Sequence, residues 1–235
     1  MSTAAVPVRP EPSRPTLPFQ SGDMMDQPTF HELYKQAPDN VRAELIGGIV
    51  YIKEGEGVAS PLSLRHGKVH LELAMWLGGY KIATPGVQVA DNATAILGTE
   101  SEVQPDVFLF IEGGRARENE EGYLSGPPDF VAEVAYASVS IDTHKKKYDY
   151  EQYGVGEYLV LLAKTSQALW FARGPQGFVP HPPAADGVLR SPTLPGLWLD
   201  AEALFRGDSR RVQAILQQGV ATPEHAEFVR RLSKS

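Results

Sequence analysis

Two acidic residues stand in or against runs that are otherwise apolar. Glu133 is the one charge in Phe130-Val-Ala-Glu-Val-Ala-Tyr136, and Asp106 directly precedes Val107-Phe-Leu-Phe-Ile111. Continuous apolar runs of this length suit strands buried on both faces. An ionised carboxylate left unpaired there is costly and must find a cation, a metal or a proton. Hard divalent cations take carboxylate oxygens, and convergent carboxylates are a usual way of holding one against a phosphate. Directly after the Glu133 run comes Asp142-Thr-His-Lys-Lys-Lys-Tyr-Asp-Tyr150. On a helix, three consecutive lysines ensure that at least one turns toward the sheet, where it can stabilise charge on a phosphate or orient an attacking water. Each feature also has a plainer reading: Asp106 as a loop cap, Glu133 paired with a lysine, and Asp142 with Lys146 as an i,i+4 surface pair worth a few tenths of a kcal/mol.

These residues need elements to position them. Thr29 followed by Glu32 is a capping-box pattern, so a short helix is expected to start there. Ala43-Glu-Leu-Ile and Ile49-Val-Tyr-Ile flank Gly47-Gly48, the two-residue turn of a β-hairpin. From Leu62 the apolar residues Val69, Leu73, Trp76 and Leu77 predict a helix that Gly78-Gly79 would stop. Strand-like runs follow at 86–90, 94–97, 107–111 and 130–136, then a helix over 141–153 and strands at 158–163 and 168–172. This order predicts a mixed α/β domain around a central sheet. The loop with Gly113, Gly114, Glu118, Glu120 and Glu121 reads as a solvated excursion. Residues 1–27 are Pro- and Ser-rich with few large apolar side chains and read as a flexible tail. The domain itself is expected over 28–206, and 207–235 reads as a charged C-terminal helical extension.

Composition bounds the function. The chain has 235 residues, with 22 Lys and Arg against 29 Asp and Glu, a formal charge of −7. That excludes a protein that coats nucleic acid by bulk charge and leaves a local site with weak intrinsic affinity. There is no cysteine, which removes disulfides, thiolate zinc sites and cysteine nucleophiles. No apolar run is long enough to span a membrane, and the proline-rich N-terminus does not resemble a secretory signal. No membrane association and a cytoplasmic location are therefore expected. His66 and His70 are four apart, but His66-Gly-Lys-Val-His70 lacks the glutamate of a zinc-protease helix and reads as helix surface. Tyr148, Tyr150 and Tyr153 could stack bases, although packing against the sheet is the simpler use.

Taken in order, Ala43-Glu-Leu-Ile-Gly-Gly-Ile-Val50, Ser60-Pro-Leu-Ser-Leu-Arg-His66, Gln104-Pro-Asp-Val107, Pro128-Asp-Phe-Val-Ala-Glu-Val134, Lys146 with Tyr150, Gly154-Val-Gly-Glu-Tyr158 and Leu194-Pro-Gly-Leu-Trp-Leu199 resemble the signatures of the Uma-two family. These are restriction-endonuclease-like proteins of the PD-(D/E)XK nuclease superfamily, and the resemblance spans residues 28 to 206. It implies a restriction-endonuclease-like core, a central mixed β-sheet flanked by helices with an N-terminal β-hairpin. It also implies a Mg2+- (or Mn2+-) dependent endonuclease that hydrolyses phosphodiester bonds in nucleic acid, with DNA the expected substrate. Asp106 and Glu133 would be metal ligands, and Glu44 a third acid and ligand. The superfamily's lysine usually stands two residues after the second acid, where this chain has Ala135; Lys146 is the expected replacement, with Lys145 and Lys147 as alternatives. Gln104, His66 and Ser138 would line the pocket. Where the family favours Ser-Pro-Ser-Thr after the second acid, this chain has Tyr136-Ala-Ser-Val139. That departure keeps open a catalytically degenerate nuclease fold acting as a binding scaffold. If the chain is a nuclease, its weak intrinsic affinity implies targeting by dimerisation or by a partner. A carboxylate-pair hydrolase acting on sugars is a distant third reading.

Overall fold

The computed structural model describes residues 17–54, 63–136 and 138–234. Helix α1 (Gln27–Tyr34) precedes a hairpin of β1 (Arg42–Ile46) and β2 (Ile49–Glu54), and then the long helix α2 (Leu64–Ala83). Strands β3 (Val87–Asp91), β4 (Ala95–Gly98), β5 (Ser101–Val103), β6 (Val107–Ile111), β7 (Arg117–Glu118), β8 (Leu124–Ser125) and β9 (Phe130–Ala135) follow. A π-helical turn (Ile141–Lys146) runs into α3 (Lys147–Tyr153). Beyond it lie β10 (Glu157–Leu162), β11 (Gln167–Gly174), β12 (Gly177–Pro180), β13 (Leu189–Arg190), β14 (Trp198–Leu199) and helices α4 (Ala201–Arg206), α5 (Ser209–Val220) and α6 (Pro223–Leu232).

The central sheet has the order β12-β11-β10-β9-β6-β3. It is mixed, because β9 and β10 are parallel and the other neighbours antiparallel. The connection from β9 to β10 is the crossover through α3, as a parallel pair requires. Alternate residues of β9 divide between two cores. Phe130, Ala132 and Val134 face α2, α4 and α5, whereas Val131 and Ala135 face the opposite side with Tyr150, Tyr158 and Phe108. Glu133 shares the parity of the second set.

A second sheet, β2-β1-β5-β4-β8-β7, was not foreseen from the pattern. It begins with the expected hairpin, whose Gly47 and Gly48 have φ +57° and +74°, the conformation a two-residue primed turn demands and glycine alone adopts freely. The presumed solvated loop helps to build this sheet through β7 and β8, and its Glu121 pairs with His31 and Lys35. A small third cluster under the hairpin contains Phe19, Phe30, Val41, Leu45 and Val50.

Four expectations on element boundaries are corrected. The expected flexible tail gives way to packed chain from residue 17: Phe19 is buried, Gly22 N–H donates to the Val50 carbonyl, and Met24 bridges Ile49; residues 1–16 lie outside the described residues. The cap of α1 is Asp26, whose carboxylate accepts from Thr29 N–H at 3.0 Å, so Thr29 lies within the helix. Helix α2 runs through Gly78-Gly79 to Ala83, because Gly79 is where α5 approaches; a Cβ there would lie 2.9 Å from the Leu216 side chain. Finally, α5 is no mere charged surface: Val212 and Leu216 join Leu73, Trp76 and Leu77 in the main core. Leu216→Ala is accordingly expected to cost about 2–5 kcal/mol in denaturant unfolding, as for any core leucine. A change under about 0.5 kcal/mol, the surface range, would make the segment an appendage.

Candidate active site

The two sheets meet at one ammonium group. Lys146 is 0% exposed, and its Nζ lies 2.6 Å from Glu133 Oε1 and 2.8 Å from Glu44 Oε1. Glu133 comes from β9 of the central sheet and Glu44 from β1 of the second; they are 2% and 1% exposed. Lys146 ends the π-helical turn, a local widening of the kind often found at functional sites. Asp142, Asp149 and Tyr150, four before and three and four after it, are buried as well. Tyr150 Oη donates to Glu133 Oε1 at 3.0 Å.

Asp106 stands just ahead of β6. The β6–β9 ladder pairs Val107 with Ala132, so one step further Asp106 lies opposite Glu133 on the same face. Its Oδ2 accepts from Val134 N–H at 2.6 Å. Of the three lysines, then, only the middle one enters the cluster. Lys145 is exposed, and Lys147 faces Glu151 at 3.6 Å and lies over the Phe171 ring at 5.0 Å.

The remaining expected pocket residues fall at the margins. Gln104 contributes its backbone N–H, which donates to Glu44 Oε1 at 2.7 Å, while its side chain turns to Thr94 and Tyr34. Ser138 Oγ donates to Asp142 Oδ2 at 2.5 Å and so braces the start of the turn. His66 lies near Asp106 on α2, together with His70. The reading of the two histidines as plain helix surface fails, since both are half-buried.

Sequence reasoning passed over Lys53, Tyr150 and Asp142 as members of this cluster. Lys53 Nζ reaches Glu44 Oε2 at 3.2 Å. The hairpin register pairs Glu44 with Tyr51, and Lys53 is two residues on, on the same face, so the signal was present once the turn was located. Both oxygens of Glu44 are thereby engaged: Oε1 by Lys146 and Gln104, Oε2 by Lys53.

The protonation pattern follows from who shares which cation. Burial alone would lower the Lys146 ammonium, but Glu133, Glu44 and Asp142 hold it well above its usual value. Burial pushes Glu44 up, yet Lys146 and Lys53 together hold it below the ordinary carboxylate range. Glu133 has the same burial; Lys146 and, more weakly, Lys53 pull it down, but burial with the repulsion of Asp106 and Glu44 leaves its carboxyl raised. Asp106 is raised by burial too, partly offset by the Val134 N–H. Burial and then Glu133 push Asp142 up to about 6. Glu44, Asp106, Glu133 and Asp142 thus interact with Lys53 and Lys146 in one buried cluster. The donor set fits a hard divalent cation, since Asp106 and Glu133 offer carboxylate oxygens.

Asp142 gives a pH prediction for the metal-free protein. A carboxyl raised from 3.8 to about 6 contributes stability that is complete below its unfolded pKa and is lost as pH rises through its folded pKa. Asp142→Asn is expected to be more stable than the parent by roughly 1–3 kcal/mol near pH 7.5, with the difference closing by about pH 4. Urea unfolding in EDTA at both pH values measures it. A difference independent of pH would mean that Asp142 is not the titrating group.

The family profile described as "Putative restriction endonuclease", Uma2, matches residues 28–202. The chain belongs to the Uma2 family. Among solved structures, the chain is similar to a protein from Anabaena variabilis described as a "putative nuclease belonging to DUF820". It is 14% identical, with a TM-score of 0.55, covering 75% of this chain and 97% of that one; at that identity the likeness concerns the fold. No curated protein matches the chain. The family's description and the fold likeness both point to proteins of the restriction-endonuclease-like type, and the β9 strand, Asp106 and the Lys146 cluster all lie inside the matched segment. Among the described residues, no helix is long and apolar enough to cross a membrane.

Proposed function

We propose that this Uma2 protein is a divalent-metal-dependent endonuclease that hydrolyses phosphodiester bonds, with DNA as substrate, in the cytoplasm. The observation that supports it most is the buried Lys146 held between Glu44 and Glu133, with Asp106 across the ladder from Glu133. Asp106 and Glu133 would hold Mg2+ or Mn2+, which supplies Lewis acidity and an acidified water when bound. Lys146 keeps its proton at neutral pH and so presents a fixed positive charge for the developing negative charge on the phosphate. Glu44 and Tyr150 position that ammonium and Glu133; with both its oxygens engaged, Glu44 acts on this reading as an orienting acid more than as a ligand. Lys53, partly exposed at the rim, adds a second positive charge. The net charge of −7 keeps intrinsic DNA affinity weak, and homodimerisation would supply targeting.

The test is to incubate the purified chain with plasmid and with single-stranded DNA in Mg2+, in Mn2+ and in EDTA. Cleavage in the metal lanes that is lost in EDTA and in Asp106→Asn supports the proposal. Cleavage that survives Asp106→Asn removes the basis for the site. A second reading, a nuclease fold kept as a binding scaffold, draws on one observation: the Lys146 ammonium is wholly enclosed and already paired twice. Metal-lane incubations without any cleavage favour that reading.

A further inference from the structure

Outside the buried cluster, at the edge where Asp106 meets solvent, stands a group of donors that a magnesium site does not call for. His66 and His70 are one helical turn apart on α2, with ring centroids 5.9 Å apart. With one ligand atom from each, His66, His70 and Asp106 lie within 4.8 Å of one another. A tetrahedral ion with bonds of about 2.0–2.2 Å needs its ligands about 3.4 Å apart, a closure that side-chain rotation can supply. Imidazole nitrogen suits zinc, cobalt and nickel, whereas magnesium is held by oxygen.

Two further observations point to a ligand. His66 Nδ1 is buried and, among the described residues, is the one buried side-chain nitrogen or oxygen without a hydrogen-bond partner. A buried polar atom left in that state is costly. His70 Nε2 lies 2.5 Å from Asp91 Oδ1. A carboxylate accepts, so the ring donates from Nε2 and its Nδ1 keeps the lone pair. This is the outer carboxylate–histidine arrangement that orients metal ligands.

We propose that His66, His70 and Asp106 form a site for a borderline transition-metal dication of the zinc or cobalt type, with Asp91 fixing the His70 ring and a fourth position open to solvent. The missing glutamate of a zinc-protease helix is then no objection, because the third ligand comes from the sheet. The site shares Asp106 with the proposed nuclease centre, but the argument for ion binding does not depend on cleavage.

The experiment uses the full chain without an affinity tag, stripped of metal, and the metal ions alone. Zn2+ and Mg2+ are titrated by calorimetry, while long-range 1H–15N spectra follow the imidazole nitrogens, the other four of the six histidines serving as controls. The expected result is Zn2+ binding that shifts the ring nitrogens of His66 and His70 selectively and by the large amount direct coordination gives, with Mg2+ moving them far less. His66→Ala and His70→Ala, on a helix that alanine favours, are expected to keep the parent circular dichroism and to weaken Zn2+ at least about 10-fold; Asp91→Asn is expected to weaken it about 10–100-fold. Zn2+ binding that leaves these two rings unshifted, or that is unchanged in His66→Ala and His70→Ala, overturns the site. Zn2+ shifts without any DNA cleavage uphold the site and count against the nuclease. Mg2+-dependent cleavage with unshifted rings does the reverse.

Discussion

Lys146→Met is expected to cost about 3–5 kcal/mol at neutral pH, the range for removing one partner from a buried ion pair. The lysine is wholly buried between two carboxylates, and methionine keeps much of the stem's volume while removing the charge. What is left is Glu44 with Lys53 and the Gln104 N–H, and Glu133 with the Tyr150 hydroxyl as its charge-free partner. The loss also unlatches the two sheets, since Glu44 stands on β1 and Glu133 on β9. The penalty should depend on pH. Without Lys146 both carboxyls rise further, so the variant regains stability as they protonate in acid and loses it as pH rises through their new pKa values. Urea unfolding of the parent and variant near pH 5 and pH 8, with Lys145→Met as an exposed neighbour expected to stay within about 0.5 kcal/mol, measures both effects. A Lys146→Met penalty under about 1 kcal/mol at pH 8 would remove the argument that the ammonium balances this cluster.

What could be read in advance, and what could not, divides along physical lines. The core strand bearing Glu133 was readable because a strand buried on both faces is apolar almost without interruption, and β9 ends within one residue of the expected run. Gly47-Gly48 was readable because few dipeptides tolerate positive φ twice in succession. Lys146 could be ranked first among three lysines only through the family resemblance; periodicity alone left all three open. The second sheet was opaque for a different reason. Three of its strands have two or three residues, too short for alternation to register, and its join to β1 rests on the single pairing of Leu45 with Glu102. Gly78-Gly79 misled because helix-stopping glycine and glycine at a close helix crossing look alike until the partner helix is known. His70 was dismissed because its meaning depends on Asp106, which is distant in sequence and reaches α2 only through the sheet.

Glu133→Gln is expected to reduce cleavage by about 10²–10³-fold, the loss typical of one preorganised electrostatic group, while leaving stability near or slightly above the parent's. The split follows from the environments of the two glutamates. Glu133 is a buried carboxyl raised by its surroundings, so folding does not favour its ionised form. A neutral amide of the same shape can still accept from Tyr150 and from Lys146, which keeps Glu44 as its counter-ion. Glu44 is held below the ordinary range by two lysines, so its charge contributes stability that is present above its unfolded pKa and is lost as pH falls through the lower folded value. Glu44→Gln should therefore destabilise, by about 1–3 kcal/mol for two lost charge-assisted contacts. Its effect on cleavage should be smaller than that of Glu133→Gln, because Lys146 then stays paired with Glu133 alone. Parallel plasmid-cleavage rates and urea unfolding of the two variants decide the matter. If Glu133→Gln cleaves like the parent, or if the two variants lose stability and activity in equal proportion, the carboxylates are one structural unit and the division into a metal-holding acid and an orienting acid is wrong.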